Sequence, residues 1–328
     1  MPVRVLLLRD DDKAWTAQSA LSPLPRDRYA QEFTQRGWES TTVPVLAPSW
    51  LHADTLYQTL QAGPGSRYWG LVLTSARAVE AICACLKVKQ TTLLAQWYDT
   101  PLFVVGENTA RAAQSLFGAN QIVQGQNTGN AVQLADHIGQ YIRNYNSTNC
   151  ETHNPVQACG QRLPPPLPVV TEQCHTMLRS HSHLDHLAPS LLFFSSAIRR
   201  PTLVNRLSDQ GVAVTELPVY TIQPRATVQA DLEAALTRSD QSAIKTTHPP
   251  YDWVVFFSPS GVDAALPTIA NYQCREWFKN LRVAAIGPTT AQHLQDRYGI
   301  SPQVIASCPT APQLVEEMAQ VERAETTT

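Results

Sequence analysis

The sequence has few charged residues, and neither sign predominates. Of its 328 residues, 25 are Lys or Arg and 27 are Asp or Glu, giving a formal net charge of -2 and a charged fraction of 16%. There is no run rich in Lys and Arg, which argues against nucleic-acid binding through phosphate neutralisation. There is also no apolar run approaching the ~18 residues that a transmembrane helix needs. We therefore expect no nucleic-acid partner and no membrane partner.

Signals for export, cofactors and metals are absent as well. The first apolar run, Val3 to Leu8, is interrupted by Arg4 and leads into charged residues, as a strand entering a loop does. Without an export signal, the seven cysteines are expected as reduced thiols in a cytoplasmic protein. The chain has no GxGxxG and no Walker A motif. The Cys and His residues between 150 and 186 lack a CxxC pair, so we predict no metal and no cofactor.

What the sequence does contain is an internal repeat. Two parts of the chain carry matching segments in the same order, which predicts two copies of one architecture. The matched segments are Arg36 to Leu46 with Gln210 to Tyr220, Leu71 to Ile82 with Val254 to Leu266, and Val104 to Val123 with Ala285 to Ile305.

Each copy alternates short apolar runs with amphipathic helical patterns, which is typical of parallel sheets with helices on both faces. The fold class predicted is α/β, with two doubly wound parallel-sheet domains. Residues 139–190 have a Pro cluster and no sustained periodicity, and we predict a low-complexity insertion there. The predicted strands are Leu71–Leu73, Phe103–Val105, Leu191–Phe194, Trp253–Phe257 and Val283–Ile286.

Hydroxyl side chains recur where these strands end and a helix begins. One interpretation is simple capping of the helix by Ser or Thr. The other is anion binding, because such turns collect N–H donors and hydroxyls at the positive end of the helix dipole. Pairing between the copies favours the second, with both domains facing one polyanionic ligand across a cleft. The residues are Thr74, Ser75, Thr109, Ser258, Ser260, Thr289 and Thr290.

A few basic residues and one tyrosine complete the candidates. A lone surface Arg is usually a solvated charge, and arginines at the carboxyl ends of strands are the better candidates for carboxylate ligands. Tyr220 ends a strand whose repeat partner ends in Leu46, so it is either a boundary residue or a functional phenol. The arginines are Arg9, Arg77, Arg199, Arg200 and Arg282.

At these residues the chain resembles the uroporphyrinogen-III synthase family over nearly its whole length outside 139–190. The resemblance implies two flavodoxin-like halves joined by a two-stranded hinge at about Thr42–Leu46 and Val219–Gln223. The implied domains are 1–45 plus 224–328, and an inserted domain at 46–223, although the repeats alone suggest two sequential domains. The motifs are PVL at 44–46, LTSARAVEA at 73–81, VVGENTA at 104–110, PVYTIQP at 218–224, FFSPSG at 256–261, AAIGPTTA at 284–291 and SCPTAPQL at 307–314.

The family's site residues can be placed on this sequence one at a time. Tyr220 corresponds to the tyrosine implicated in departure of the substrate hydroxyl. Substrate contacts are expected from the hydroxyls named above, from Gly287, and from Arg282, where some relatives have Lys. The sequence Ser195-Ser196-Ala197 replaces a turn that often contains Gly in the family.

The implied reaction closes hydroxymethylbilane, a linear tetrapyrrole with eight carboxylates, to uroporphyrinogen III with loss of water and inversion of ring D. It needs no cofactor, and the family expectation is a monomer. The alternative is a non-catalytic two-domain module that binds an anionic metabolite.

Overall fold

A computed structural model of the chain describes residues 2–9, 27–86, 91–118, 121–150, 190–237, 250–272 and 280–326. The chain divides into two compact units. Unit 1 comprises Met1–Ala47 and Ile222–Thr328, and unit 2 comprises Pro48–Thr221. The predicted boundaries at 45/46 and 223/224 lie beside these divisions, and they stay a prediction for independently folding domains.

Strands and helices alternate along the chain. The strands are β1 Arg4–Arg9, β2 Glu39–Pro44, β3 Leu46–Trp50, β4 Tyr68–Leu73, β5 Leu102–Val104, β6 Val123–Gln124, β7 Ser190–Ser196, β8 Val214–Pro224, β9 Trp253–Phe256, β10 Arg282–Ala285 and β11 Val304–Ile305. The α-helices are α1 Arg28–Gln35, α2 Ala53–Ala62, α3 Ala76–Leu86, α4 Gly106–Phe117, α5 Ala131–Cys150, α6 Thr202–Asp209, α7 Val228–Thr237, α8 Pro259–Ala270, α9 Pro288–Tyr298 and α10 Ala311–Thr326, with a 3-10 helix at Thr91–Trp97.

Unit 1 is built on a five-stranded parallel sheet in the order β2-β1-β9-β10-β11. Its central strands β1 and β9 are apolar at consecutive positions because helices cover both faces. In β1, Leu6 and Leu8 pack in one core cluster, whereas Val5 and Leu7 pack with Phe33 of α1 in another. The sequence pattern of a strand buried on both sides is therefore explained by alternation between two cores.

Unit 2 has a six-stranded sheet in the order β3-β8-β7-β4-β5-β6, and strands β4 to β8 form parallel pairs. The order β8-β7-β4-β5-β6 is the same as that of unit 1, strand for strand, and is the flavodoxin-like arrangement. Of these five strands, β4 comes first along the chain. It occupies the position that β9, the third strand of unit 1 along the chain, has in the first sheet. The prediction of two doubly wound parallel-sheet halves is confirmed.

Gly70 shows how tightly the second sheet is packed. A Cβ at this position of β4 would lie 2.7 Å from Leu191 Cδ2 and 3.0 Å from Phe103 Cε2. Both neighbours are fully buried side chains on the flanking strands. A side chain here would force the strands or their core apart.

The divisions between the units fall within β3 and β8, which are neighbours in the second sheet. Backbone hydrogen bonds lie at both ends of this pair: Leu51 N–H donates to Val219 O at 2.9 Å, and Arg225 N–H donates to Val45 O at 3.1 Å. The two chain crossings therefore run side by side and antiparallel. On the first crossing the ladder continues further along the chain than the predicted segment 42–46.

The start of the predicted insertion overlaps a helix. The sequence predicts the insertion from residue 139, but α5 continues without a break to Cys150. Tyr141 and Ile142 pack against the core that Leu134 and Ile138 enter, so the apolar stripe of the helix extends into the polar sequence. The rest of the predicted insertion, with its cysteines and histidines, lies outside the described residues.

Candidate functional site

The predicted site residues lie at the carboxyl ends of neighbouring strands within each unit. In unit 1, β9 pairs with β10 up to Phe256 and Ala285, so the turns that start α8 and α9 follow adjacent strands. In unit 2, the pairing of Leu73 with Val104 does the same for the turns before α3 and α4. In sheets of this kind, ligands bind at the carboxyl ends of the strands.

The repeat extends to the burial of single residues. From Gly106 to Ala110 and from Gly287 to Ala291, the pattern is one half-buried glycine, two exposed residues and two buried ones. The sequence alignment of the two copies is therefore also a structural alignment. In this alignment Asn108 is the counterpart of Thr289. A search for hydroxyl side chains alone does not find Asn108, because its side chain is an amide.

In one pair of turns the serine caps the helix. Ser75 Oγ accepts a hydrogen bond from Arg77 N–H at 3.2 Å, and Ser258 Oγ accepts one from Gly261 N–H at 3.1 Å. Each hydroxyl satisfies an otherwise free amide of the first turn. The capping interpretation holds for these two serines, whereas Thr74 and Ser260 have no such assigned role.

In the other pair of turns no side chain caps the helix. α4 follows Val105 and α9 follows Gly287, and neither helix start has a side-chain cap hydrogen bond. Their first-turn amides are left at the positive end of the helix dipole, where an anion is the favoured partner. The two uncapped starts occupy the same place in the two copies. This arrangement can bind carboxylates through backbone N–H groups.

The threonines of these turns differ in accessibility. Thr109 is 5% and Thr290 3% exposed, so both side chains belong to the packed side of their helices. Thr289 is exposed and Thr74 half-buried, which leaves their hydroxyls within reach of a ligand. Thr290 and Leu294 are four residues apart on one face, and this spacing was the available signal for burial.

Arg282 lies at the other end of its strand. It is the first residue of β10, and about 13 Å of strand at 3.3 Å per residue separates it from the turn that starts α9. Its Nη2 is 2.5 Å from Glu322 Oε1, and its guanidinium lies 4.7 Å from the ring centroid of Trp253. Glu322 Oε1 also accepts a hydrogen bond from Trp253 Nε1 at 2.6 Å. The placement assigns Arg282 to packing against α10 and argues against its prediction as a substrate ligand.

Arg9 is engaged in a cluster at the carboxyl end of β1. Its Nη1 is 2.8 Å from Asp27 Oδ1, and its guanidinium lies over the rings of Tyr29 and Phe257, 4.8 and 5.4 Å from their centroids. Asp27 also caps α1 by accepting hydrogen bonds from the amides of Tyr29 and Ala30. Arg9 thereby connects the start of α1 to Phe257, the residue before Ser258.

Arg199 has a comparable arrangement in unit 2. It forms an ion pair with Glu216 of β8, and its guanidinium lies 5.8 Å from the centroid of Phe193. Neighbouring Ser195 is 1% exposed, and its Oγ is buried without a hydrogen-bond partner among the residues that the structure describes. The end of β7 therefore carries one hydroxyl whose hydrogen-bonding capacity is unused.

Tyr220 lies on β8 and is 8% exposed. Its carbonyl accepts a hydrogen bond from Ala197 N–H at 2.9 Å, and the register of β7 with β8 shifts between Ser195 and Ser196. The backbone at Tyr220 is thus fixed to the turn that follows β7. The side chain of Tyr220 therefore extends from a strand position whose backbone is held in place, and it is nearly buried.

Comparison with known proteins identifies the family. A profile described as uroporphyrinogen-III synthase HemD matches residues 27–148 and 178–316. The chain belongs to the uroporphyrinogen-III synthase family. The resemblance stated from sequence motifs is confirmed, and so is the expectation of an enzyme, since the family consists of lyases of tetrapyrrole biosynthesis.

Relatives in the family cover almost all of the chain. The uroporphyrinogen-III synthase of Schizosaccharomyces pombe is 24% identical, covering 90% of this chain and 92% of the relative. That of Saccharomyces cerevisiae is 25% identical, covering 98% and 97%. Among solved structures, the uroporphyrinogen-III synthetase of Helicobacter pylori is similar with a TM-score of 0.47 and 16% identity, covering 98% of this chain and 100% of the other.

Two further findings concern membrane-spanning helices and metal sites. No helix among the described residues has the length and apolar character required to cross a membrane. Within the same residues, no group of three or more His, Cys, Asp or Glu side chains is arranged to hold a metal ion.

Proposed function

We propose that this chain converts hydroxymethylbilane to uroporphyrinogen III, the activity for which its family is named. The observation that carries the proposal is the pair of uncapped helix starts at equivalent places in the two copies. A substrate with eight carboxylates requires many anion-binding groups. Backbone amides at helix N-termini supply them without a covalent or redox group.

Substrate binding is assigned to the accessible groups of these turns. The amides after Gly106 and Gly287 bind carboxylates, and the hydroxyls of Thr74, Ser260 and Thr289 add hydrogen bonds. Ser75 and Ser258 keep the neighbouring helices capped, and Thr109 and Thr290 contribute through packing. Arg282 is not included.

Tyr220 is assigned as the general acid. The carbon–oxygen bond of the hydroxymethyl group breaks, the hydroxyl leaves as water with a proton from the phenol, and the pyrrole nitrogen supplies the electron pair. Because a phenol is a weak acid at neutral pH, its contribution lies at the low end of general-acid catalysis. The larger task is orientation, since the bound chain must close with ring D inverted before it closes spontaneously.

Two sequence-based expectations remain parts of this proposal: a monomer and a cytoplasmic location. Size-exclusion chromatography with light scattering tests the first. Fractionation of cells that produce the protein tests the second.

The decisive experiment supplies the purified chain with hydroxymethylbilane and separates the oxidised uroporphyrin isomers by chromatography. Isomer III in excess over the spontaneous isomer I supports the proposal. Tight binding of hydroxymethylbilane with isomer I alone favours the alternative, a non-catalytic module for an anionic metabolite. Retention of Tyr220 together with the matched hydroxyls favours the enzyme, because a binding module needs no acid.

A further inference from the structure

One carboxylate oxygen joins the two helices that carry the proposed site turns of unit 1. Asp263 Oδ1, on α8, accepts hydrogen bonds from His293 Nε2 and from Tyr298 OH, both on α9 and both at 2.8 Å. Arg297 Nε lies 3.5 Å from the same oxygen. The side chains of His293 and Asp263 are 25% and 35% exposed, so water screens the link only in part.

The link lies close to both helix starts. Asp263 follows Pro259, the first residue of α8, by four positions, and His293 follows Pro288, the first residue of α9, by five. At 1.5 Å per residue, this places the link about 6 to 8 Å below the two N-termini. A shift of one helix along the other would therefore move the two turns relative to each other.

The internal repeat shows that the architecture does not require this link. In unit 2, Glu80 and Ala112 stand at the positions of Asp263 and His293, counted from Ser75 and Gly106. Ala112 is 2% exposed and packs as a small residue, so it offers no donor. The same pair of helices thus forms without a donor at this position in one copy and with hydrogen bonds to a carboxylate in the other.

We propose that Asp263, His293 and Tyr298 are positioning residues, which hold the α8 and α9 turns at the separation that neighbouring carboxylates of the tetrapyrrole require. This inference rests on the proposed function, since it takes the tetrapyrrole as the ligand of these turns. The three residues act through helix placement and do not themselves touch the substrate. An apolar contact would hold the helices together but would allow them to slide.

The test uses the full-length chain with His293→Ala, which places at this position of unit 1 the residue that unit 2 has. Two quantities are measured: amide hydrogen exchange of residues 258–262 and 289–291, and the steady-state KM and kcat for uroporphyrinogen III formation. We expect exchange in these two turns to rise by about 3-fold or more. KM should rise by about 3- to 10-fold while kcat stays within about 2-fold.

Two further variants separate positioning from general damage. His293→Gln restores an N–H donor of similar reach, and we expect it to restore both KM and exchange. Gln292→Ala removes an exposed hydrogen bond to Asp296 within α9 and should leave both quantities at the wild-type level.

The outcomes are distinct. Wild-type exchange and wild-type KM in His293→Ala overturn the positioning link, as does increased exchange throughout unit 1. If the wild-type chain forms no uroporphyrinogen III, the proposed function fails. The exchange of the two turns then still decides whether the link positions them.

Discussion

A methyl group at Gly287 tests the anion-binding turn directly. Gly287 precedes α9 with an extended backbone, φ 175° and ψ 175°, which any residue can adopt. A Cβ built at this position meets no atom within 4 Å. Alanine should therefore fit without strain, and the smaller conformational freedom of the unfolded chain should stabilise the protein by about 0.4–1 kcal/mol. For a domain of this size, that is a rise in Tm of about 1–4 °C.

Substrate binding should respond in the opposite direction. The open space beside Gly287 is where a carboxylate would approach the uncapped amides of α9. A hydrogen bond to a charged group contributes about 1.5–3 kcal/mol, so losing one should raise KM roughly 10- to 100-fold. The assay combines thermal unfolding of Gly287→Ala with initial rates of uroporphyrinogen III formation over a range of substrate concentrations.

Gly106, the counterpart in unit 2, provides the contrast. A Cβ there also meets no atom within 4 Å, but its φ is +77°, so alanine would be strained by about 1–2 kcal/mol and Tm should fall. A Gly287→Ala variant with wild-type KM and an unchanged or raised Tm would refute the reasoning. It would mean that no substrate group approaches this backbone.

Three other predictions follow from the site. Tyr220→Phe should lower kcat by ~10- to 100-fold in single-turnover assays, and a wild-type rate would remove the phenol from the mechanism. Arg282→Met should lower the free energy of unfolding in urea by about 1–3 kcal/mol through loss of the contacts with Glu322 and Trp253. A raised KM in this variant would mean that Arg282 binds the substrate after all. Burial works to raise the pKa of Asp263, but hydrogen bonds from His293 and Tyr298 and the nearby charges lower it. The carboxylate therefore stabilises the fold above its unfolded pKa, so the Tm difference between wild type and Asp263→Asn should be present above that pKa and shrink below about pH 4; a difference independent of pH would contradict this.

The strands and the repeat were predictable because their signals are local. Runs such as Leu191–Phe194 are short and apolar at every position, which favours a strand buried on both faces. The matching segments give the equivalence of Ser75 with Ser258 and of Gly106 with Gly287, and the structure repeats it down to burial. The family resemblance supplied the crossing between units, since the repeat alone favours two sequential domains.

The predictions from sequence that differ from the structure concern which end or which face of a helix or strand a residue occupies. The family resemblance predicts Arg282 as a substrate ligand, but Arg282 begins β10 and the length of that strand separates it from the turn at Gly287. Tyr141 and Ile142 continue the apolar stripe of α5, but the polar residues around them make the helical spacing difficult to recognise in the sequence. The contacts of Arg9 and Asp263 join residues 18 and 30 positions away, and no local pattern encodes such pairs.

The pairing of β1 with β9 has a consequence for synthesis of the chain. Val5 pairs with Trp253, so β1 cannot pair with β9 until all of Pro48–Thr221 has been synthesised. At about 5–20 residues per second, that delay is roughly 12–50 s, and all the strands of unit 2 are synthesised within it. During that interval the described elements of unit 1 that can cover β1 are β2, which pairs with it, and α1, whose Phe33 packs against Val5 and Leu7.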